Sequence, residues 1–313
     1  MKSASRFSGG RMLGIAIAGA TTFDVAACGF PRASGDSGPP DLSRDSTEIA
    51  VLTYNVKALP FPLGGWSKGA RMRRIGARFG DYDLVLVQEA FTSVADLFSA
   101  QTSRGTLVSE RVGPARTGDR LTRTTGLALG VFAPLGLAPE RHIGHYGICS
   151  GSFTLANDCL VSKGFILQRV RVHGAEVDVY DTHLDADERD QPTRDRQLAI
   201  LASEIRRLSG DRALIVGGDF NIERTDDAQH RSLVAFASDL GLTDSRSTPS
   251  KSWPERIDYI FFRGSSAVSI DLVRAGHDAA FRFGDAEASD HPAMYAILRV
   301  TGRTAPPTPL RSR

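Results

Sequence analysis

The chain has 313 residues, 41% of them hydrophobic and 24% charged, with 38 Lys and Arg against 36 Asp and Glu. That composition excludes a disordered chain, a fibrous repeat and a multi-span membrane protein, and the length allows a full hydrophobic core without a disulfide scaffold. Setting aside Lys2, Arg6, Arg11 and Asp24, which lie in a segment read below as removed, leaves 35 cations against 35 acids, so any grip on nucleic acid has to come from a local patch.

Residues 1–27 read as a signal peptide: Lys2, Arg6 and Arg11 form a basic leader, and Met12 to Phe23 is an apolar run too short to span a bilayer as a mature helix. It ends in Val25-Ala26-Ala27-Cys28, which resembles the bacterial lipobox and makes Cys28 the candidate lipidated N-terminus; plain signal cleavage is the alternative. The expected location is therefore outside the cytoplasm, either as a membrane-anchored lipoprotein or freely secreted or periplasmic. Residues 28–48 are rich in Pro, Gly and Ser, as in a flexible tether. One domain is expected over residues 49–300, and the tail 301–313, with three prolines and three arginines, is expected to be disordered. Cys149 and Cys159 are expected to pair in an exported protein, with two buried thiols as the other possibility.

Apolar, β-branched runs at Ile49–Tyr54, Leu84–Val87, Val177–Tyr180, Ala213–Val216 and Ile257–Phe262 predict buried strands. Met72, Ile75 and Phe79, then Leu198, Leu201, Ile205 and Leu208, then Leu233, Phe236 and Leu240, each have the spacing of one buried helix face. Strands alternating with helices give an α/β architecture, in which sites form just past strand ends.

Those ends carry acids, amides and histidines: Asn55, Glu89, His183 in YDTHLDA, Asp219 and Asn221 in GGDFN, Asp258 in RIDYIFF, and Asp290 and His291 in ASDHP. Singly, each is an ordinary turn or strand end. As an ordered set they resemble the endonuclease/exonuclease/phosphatase superfamily, whose members cleave phosphate esters with a divalent metal. The segment Trp66–Phe98, the tripeptide Ser162-Lys163-Gly164 and the stretch Val179–Leu201 are similar to neutral sphingomyelinases. The resemblance implies a four-layer α/β sandwich, two packed mixed sheets flanked by helices.

It also implies roles. Glu89 and Asn55 are the candidate ligands for Mg²⁺, with Mn²⁺ or another divalent cation as alternatives and Asp290 near the metal; a hard cation of this kind needs only one or two carboxylates. His291 is the candidate general base, since imidazole titrates near neutrality, and Asp258 orients it. Asp219 and Asn221 position water and phosphate, Asn221 also binding substrate, while His183 and Lys163 contact phosphoryl oxygens. There is no CxxC or HExxH spacing and no GxxxxGK[ST] loop, so neither zinc nor nucleoside triphosphate chemistry is indicated.

The substrate expected is a phospholipid at a membrane surface, with exported endonuclease action on DNA as the alternative and no obligate protein partner inferred. Phe281 and Phe283 are the aromatics available to enter a bilayer, with one face of an ordinary strand as the other possibility, and Arg71, Arg73, Arg74, Arg194 and Arg196 are the arginines available to contact nucleic-acid phosphates, with solvated helix faces as the other.

Overall fold

The computed structural model describes residues 46–59, 68–91, 94–101, 103–110, 124–150, 159, 161–246, 257–283 and 286–302. In chain order its elements are β1 (Ser46–Asn55), α1 (Lys68–Gly76), β2 (Leu84–Gln88), α2 (Val94–Phe98), β3 (Gly105–Ser109), β4 (Ala128–Phe132), β5 (Gly136–His145), β6 (Gly164–Val172), β7 (Ala175–His183), α3 (Gln191–Ser209), β8 (Ala213–Asp219), α4 (Asp227–Asp239), β9 (Thr243–Asp244), β10 (Asp258–Arg263), β11 (Val268–His277), β12 (Arg282–Phe283), β13 (Ala286–Glu287) and β14 (Met294–Gly302). Two six-stranded sheets run β11-β14-β1-β2-β4-β3 and β5-β6-β7-β8-β10-β9, and β12 and β13 form a small ribbon. Both sheets are mixed: β1 with β2 and β7 with β8 are parallel, their other pairings antiparallel.

Strand side chains alternate between faces, so a strand that is apolar at every position must be covered on both sides. In β1, Ile49 and Val51 join one core with Leu84 and Leu86 of β2, Val177 and Val179 of β7, Ala213 and Ile215 of β8 and Ile260 of β10. That core lies between the sheets. The opposite parity of the first sheet, Leu52, Tyr54, Val85 and Val87, packs with Met72 and Ile75 of α1 and with Leu97 and Phe98 of α2. The opposite parity of the second sheet, Tyr180, Leu214, Val216, Tyr259 and Phe261, packs with Leu198, Leu201 and Ile205 of α3 and with Leu233 and Phe236 of α4. Three apolar layers separate four structural ones, which is the expected sandwich.

The five strands predicted from apolar runs are the inner strands β1, β2, β7, β8 and β10, while most of those passed over lie toward the sheet edges. β3, for example, is an edge strand that buries only Val108, so its signal is weaker. Phe79 lies outside α1: the helix stops at Gly76, and Phe79 opens a separate 3-10 turn while still burying in the same core. The sheet extends beyond both expected domain bounds, because Ser46 pairs with Thr301 and Val268 with Gly302. Cys149 and Cys159 form a disulfide. The readings on the leader, Cys28 and most of the tail fall outside the described residues. No helix among the described residues is long and apolar enough to cross a membrane.

Candidate active site

Side-chain parity assembles the site. Asn55 continues the inward face of Ile49 and Val51; His183 continues Val177 and Val179; Asp219 continues Ala213 and Ile215; Asp258 begins the face of Ile260. The inter-sheet layer is therefore apolar along its length and polar at one end. His183, Asp219 and Asp258 stand in a single rank, paired in register across β7, β8 and β10. Asn55 reaches them from the other sheet, its Nδ2 donating to Asp219 Oδ2 at 2.9 Å. Close approach of the layers depends on glycine at one position, where a Cβ on Gly217 would lie 2.5 Å from Leu86 of the opposite sheet; within the sheet, Gly218, at φ +148°, leaves no room for a Cβ beside the Thr182 carbonyl of β7.

Of the four non-glycine residues with positive φ in the described chain, three are at this end: Lys57, Glu89 and Asn221. Such residues cost roughly 1–3 kcal/mol each and persist where their surroundings fix them. Val56 N and Ala58 N donate to the carbonyls of Gln88 and Glu89. Asn221 N donates to Asp219 Oδ1 at 3.0 Å, and its side-chain Nδ2 to Leu184 O at 2.9 Å.

His291, on the turn before β14, places Nδ1 2.9 Å from Asp258 Oδ2 and Nε2 3.8 Å from Asp219 Oδ2. Burial alone would lower its pKa, but the carboxylates of Asp258, Asp219 and Asp290 outweigh it and raise the value to about 10. This differs from the near-neutral imidazole expected from residue type: ringed by acids, His291 holds its proton. Burial and the neighbouring Asp258 charge raise Asp219 to about 6. Glu89 is raised by burial and by Asp219, against the opposing pull of Lys163. His183 is pushed well below the usual imidazole range by burial and by the charges of Lys163 and His291, so it is neutral. Its Nε2 lies 2.9 Å from Lys163 Nζ and 3.4 Å from Asp219 Oδ2, and its buried Nδ1 has no hydrogen-bond partner among the described residues.

The structure thus gathers Asn55, Glu89, Lys163, His183, Asp219, Asn221, Asp258 and His291 into one neighbourhood. Asp290 sits at its half-exposed rim, with Oδ2 2.5 Å from Lys57 Nζ and Oδ1 accepting from Ser289 Oγ. Lys57 and Ser289, which also donates to Asn55 O at 2.7 Å, were not singled out from the sequence, and Arg71 was singled out only as a possible contact for nucleic-acid phosphates. Lys57 shares the strand parity of Asn55 and Ser289 adjoins Asp290, which were usable signals; Arg71 looked like an exposed helix residue. Instead its guanidinium donates at 2.7 Å each to the carbonyls of Val56, Lys57 and Ala288.

Two readings are corrected. Phe281 is not available to a bilayer: it is buried against Tyr54, Phe79 and Tyr82, and the half-buried Phe283 is covered by Arg74, 4.1 Å from its ring centre. Of the helix arginines, Arg194 is not available to a phosphate, because it is buried and donates to the carbonyls of Asp185 and Asp187, and Arg71 donates to backbone carbonyls; Arg73 pairs with Asp96 at the surface.

The donor set fits a hard cation. Oxygen ligands predominate, Asp258 Oδ1 is buried without a hydrogen-bond partner among the described residues, and Asp219, Asp258 and His291 each offer a ligand atom within 4.8 Å of the others. His291 Nδ1 is already bonded to Asp258; Glu89 adds a third carboxylate within electrostatic reach of Asp219, and Asn55 donates to Asp219. Asp290 is engaged by Lys57 and Ser289 instead.

Comparison with known proteins agrees with this geometry. Sphingomyelinases of Mycobacterium tuberculosis and Mycobacterium bovis are 28% identical to the chain over 281 residues, which is 83% of this chain and 54% of theirs, so the chain spans about half the length of these curated relatives. Among solved structures, a humanized TDP2 of D. rerio superposes with TM-score 0.60 at 15% identity, covering 80% of this chain and 98% of that one. SmcL gives 0.58 at 16%, covering 82% and 99%, and the human Nocturnin catalytic domain with bound sulfate gives 0.57 at 22%, covering 84% and 99%; all three share the fold. The model of the Endonuclease/Exonuclease/phosphatase family matches residues 52–291, and the chain belongs to that family.

Proposed function

We propose that this protein is a divalent-metal-dependent phosphodiesterase that cleaves a phospholipid head-group ester, as a sphingomyelinase does. The observation that carries the reading is the His291–Asp258 pair beside a crowded set of buried carboxylates at the end of the inter-sheet layer. Hydrolysis of a phosphodiester needs an activated water, charge to neutralise the phosphoryl oxygens and help for the departing alkoxide. Asp258 fixes the ring of His291 and leaves Nε2 facing the site, where it takes the proton of the attacking water. Asp219 and the strained Asn221 orient that water. Lys163, with its ammonium against His183, contributes positive charge to the phosphoryl group. Glu89, Asn55 and Asp219 would hold Mg²⁺, which supplies further positive charge and offsets the carboxylate field that keeps His291 protonated.

The lipid substrate rests on the curated relatives named sphingomyelinase, on the balanced charge of the chain without its leader and on the internal engagement of Arg71 and Arg194. Lipidation at Cys28 after export would place the catalyst beside such a substrate; membrane fractionation of Cys28→Ser tests it, and unchanged retention rejects it. The deciding experiment compares sphingomyelin, lysophospholipid and plasmid DNA with Mg²⁺ or EDTA across salt concentrations. Lipid cleavage that EDTA abolishes and salt barely alters is expected. DNA nicking that falls steeply with salt, without lipid cleavage, replaces the substrate with nucleic acid. Inertness toward all three with every divalent ion overturns the phosphodiesterase reading.

A further inference from the structure

At the same end of the second sheet as the carboxylate cluster, with His145 in register with Gly164 and Gly164 with His183, three further side chains form a line at the adjoining edges of the two sheets. His145, the last residue of β5, places Nδ1 2.7 Å from Ser162 Oγ and Nε2 2.9 Å from Glu110 Oε1. Glu110, which follows β3 of the other sheet, is itself held in place: its Oε2 accepts from Thr125 N at 2.7 Å and from Thr125 Oγ1 at 3.2 Å. Thr125 is buried, and its methyl group packs against Gly164, so both ends of the line are anchored on β6 and its approach. Neither Ser162 nor His145 is sealed off, the imidazole being 36% exposed.

The chemistry follows from the order of the groups. A carboxylate accepting from Nε2–H fixes the imidazole tautomer and leaves the Nδ1 lone pair facing the hydroxyl. Nucleophile, base and orienting acid within hydrogen-bond reach are the signature of an activated nucleophile, whichever ring nitrogen faces it. A merely structural hydroxyl would not need a base oriented in this way. None of the three takes part in the proposed phosphodiester hydrolysis.

We propose that Ser162 is a second, metal-independent nucleophile, activated by His145 and Glu110, that reacts with acyl esters. In that reaction Oγ attacks the acyl carbon, the Oγ–C bond forms and the bond to the alkoxide breaks. The hydroxyl proton passes to His145 Nδ1 and then to the departing alkoxide, and water returns Ser162 by the reverse sequence. Ser162 adjoins Lys163, so the acylated serine would stand beside the residue that contacts His183.

The test uses the full-length protein in EDTA and a biotinylated fluorophosphonate, which captures activated serines as Oγ–P bond formation expels fluoride. Peptide mass spectrometry is expected to place the label on Ser162. His145→Ala should slow labelling by ~10²-fold, the lower end for loss of a general base. Glu110→Gln, which keeps the side-chain shape and an acceptor for Nε2–H, should slow it by about 10-fold or more as the charge that stabilises the imidazolium is lost. Circular dichroism of both variants accompanies the rates. No label on Ser162, or labelling at the wild-type rate in both variants, overturns the proposal, and either result is independent of whether the protein cleaves phosphodiesters.

Discussion

On the outer face of the second sheet, Arg169 of β6 lies against Asp178 of β7, with Nε 2.6 Å from Oδ1 and Nη2 3.1 Å from Oδ2. Ser209 at the end of α3 donates to Asp178 Oδ2 at 2.6 Å and hydrogen-bonds the Tyr180 hydroxyl. Asp178 therefore has a donor for each oxygen and a cation for its charge. On the inner face of the same sheet, Asp219 and Asp258 stand side by side with the neutral His183, one oxygen of Asp258 has no hydrogen-bond partner among the described residues, and one imidazolium, His291, serves both acids. Both clusters are buried, and they differ in how completely they are satisfied. A buried polar group left incomplete costs about 1–3 kcal/mol, so a fold retains several together only where another component completes them. The satisfied cluster holds the sheet to its helix; the incomplete one is where chemistry is to be sought.

Exchanging the damage separates the two. His291→Ala is expected to lower the phosphodiesterase rate ~10²–10⁴-fold, the scale of a lost general base, with the circular dichroism spectrum unchanged. A rate within a few-fold of wild type would assign the proton to another residue. Asp178→Ala is expected to do the reverse: it removes the bidentate partner of the Arg169 guanidinium, leaving Glu140 and Glu176 as its acids, and costs about 1–3 kcal/mol of stability. Turnover per folded molecule should not change. Urea denaturation alongside rate measurement checks both halves, and an unaltered denaturation midpoint would show the outer cluster to be dispensable.

How much of this contrast was legible beforehand follows from periodicity. Asn55, His183, Asp219 and Asp258 were found because each ends or begins an inner strand whose apolar run is covered on both faces, and such runs stand out in a sequence. That all four share the inward face also follows from counting by twos. Arg71 and the Arg169–Asp178 pair were not legible, because they depend on which strands become neighbours. RVR of β6 and VDV of β7 read as polar interruptions until the two strands are paired, and RMRR reads as a solvated helix face until its first arginine is seen to bridge two loops. The pKa of His291 lay equally out of reach: residue type gives a value near neutrality, and only the placement of three acids around the ring raises it.

That placement yields a pH signature confined to the inner cluster. In EDTA, His291 carries a folded-state pKa of about 10 against an ordinary 6.5. The folded protein thus binds a proton that the unfolded chain has released. The resulting stabilisation is complete below pH 6.5 and is lost as pH rises from 6.5 to 10. Wild type in EDTA should lose thermal midpoint across that window more steeply than His291→Gln, whose side chain does not titrate. Parallel pH profiles for the two proteins would remove His291 as the source.

Glu89→Gln gives the smallest expected change and the sharpest division between the clusters. The Glu89 carboxylate is disfavoured in the folded chain, its pKa raised by burial and by the nearby Asp219. Neutralising it at nearly constant shape relieves both effects, so in EDTA the variant should melt higher than wild type, by an amount corresponding to about 1 kcal/mol or less. With saturating Mg²⁺ the order should reverse: wild type gains stability from a ligand bound only to the folded state, and the variant, lacking the charge that holds the ion, gains little. Activity should fall with the loss of metal binding. Asp178→Asn cannot show this crossover, since its carboxylate already has every partner it needs. Thermal melts of wild type and Glu89→Gln, with and without Mg²⁺, supply the four values required. If Glu89→Gln melts lower than wild type in EDTA and is stabilised by Mg²⁺ to the same degree, Glu89 is a structural acid like Asp178, and the cation must be sought at Asp219 and Asp258.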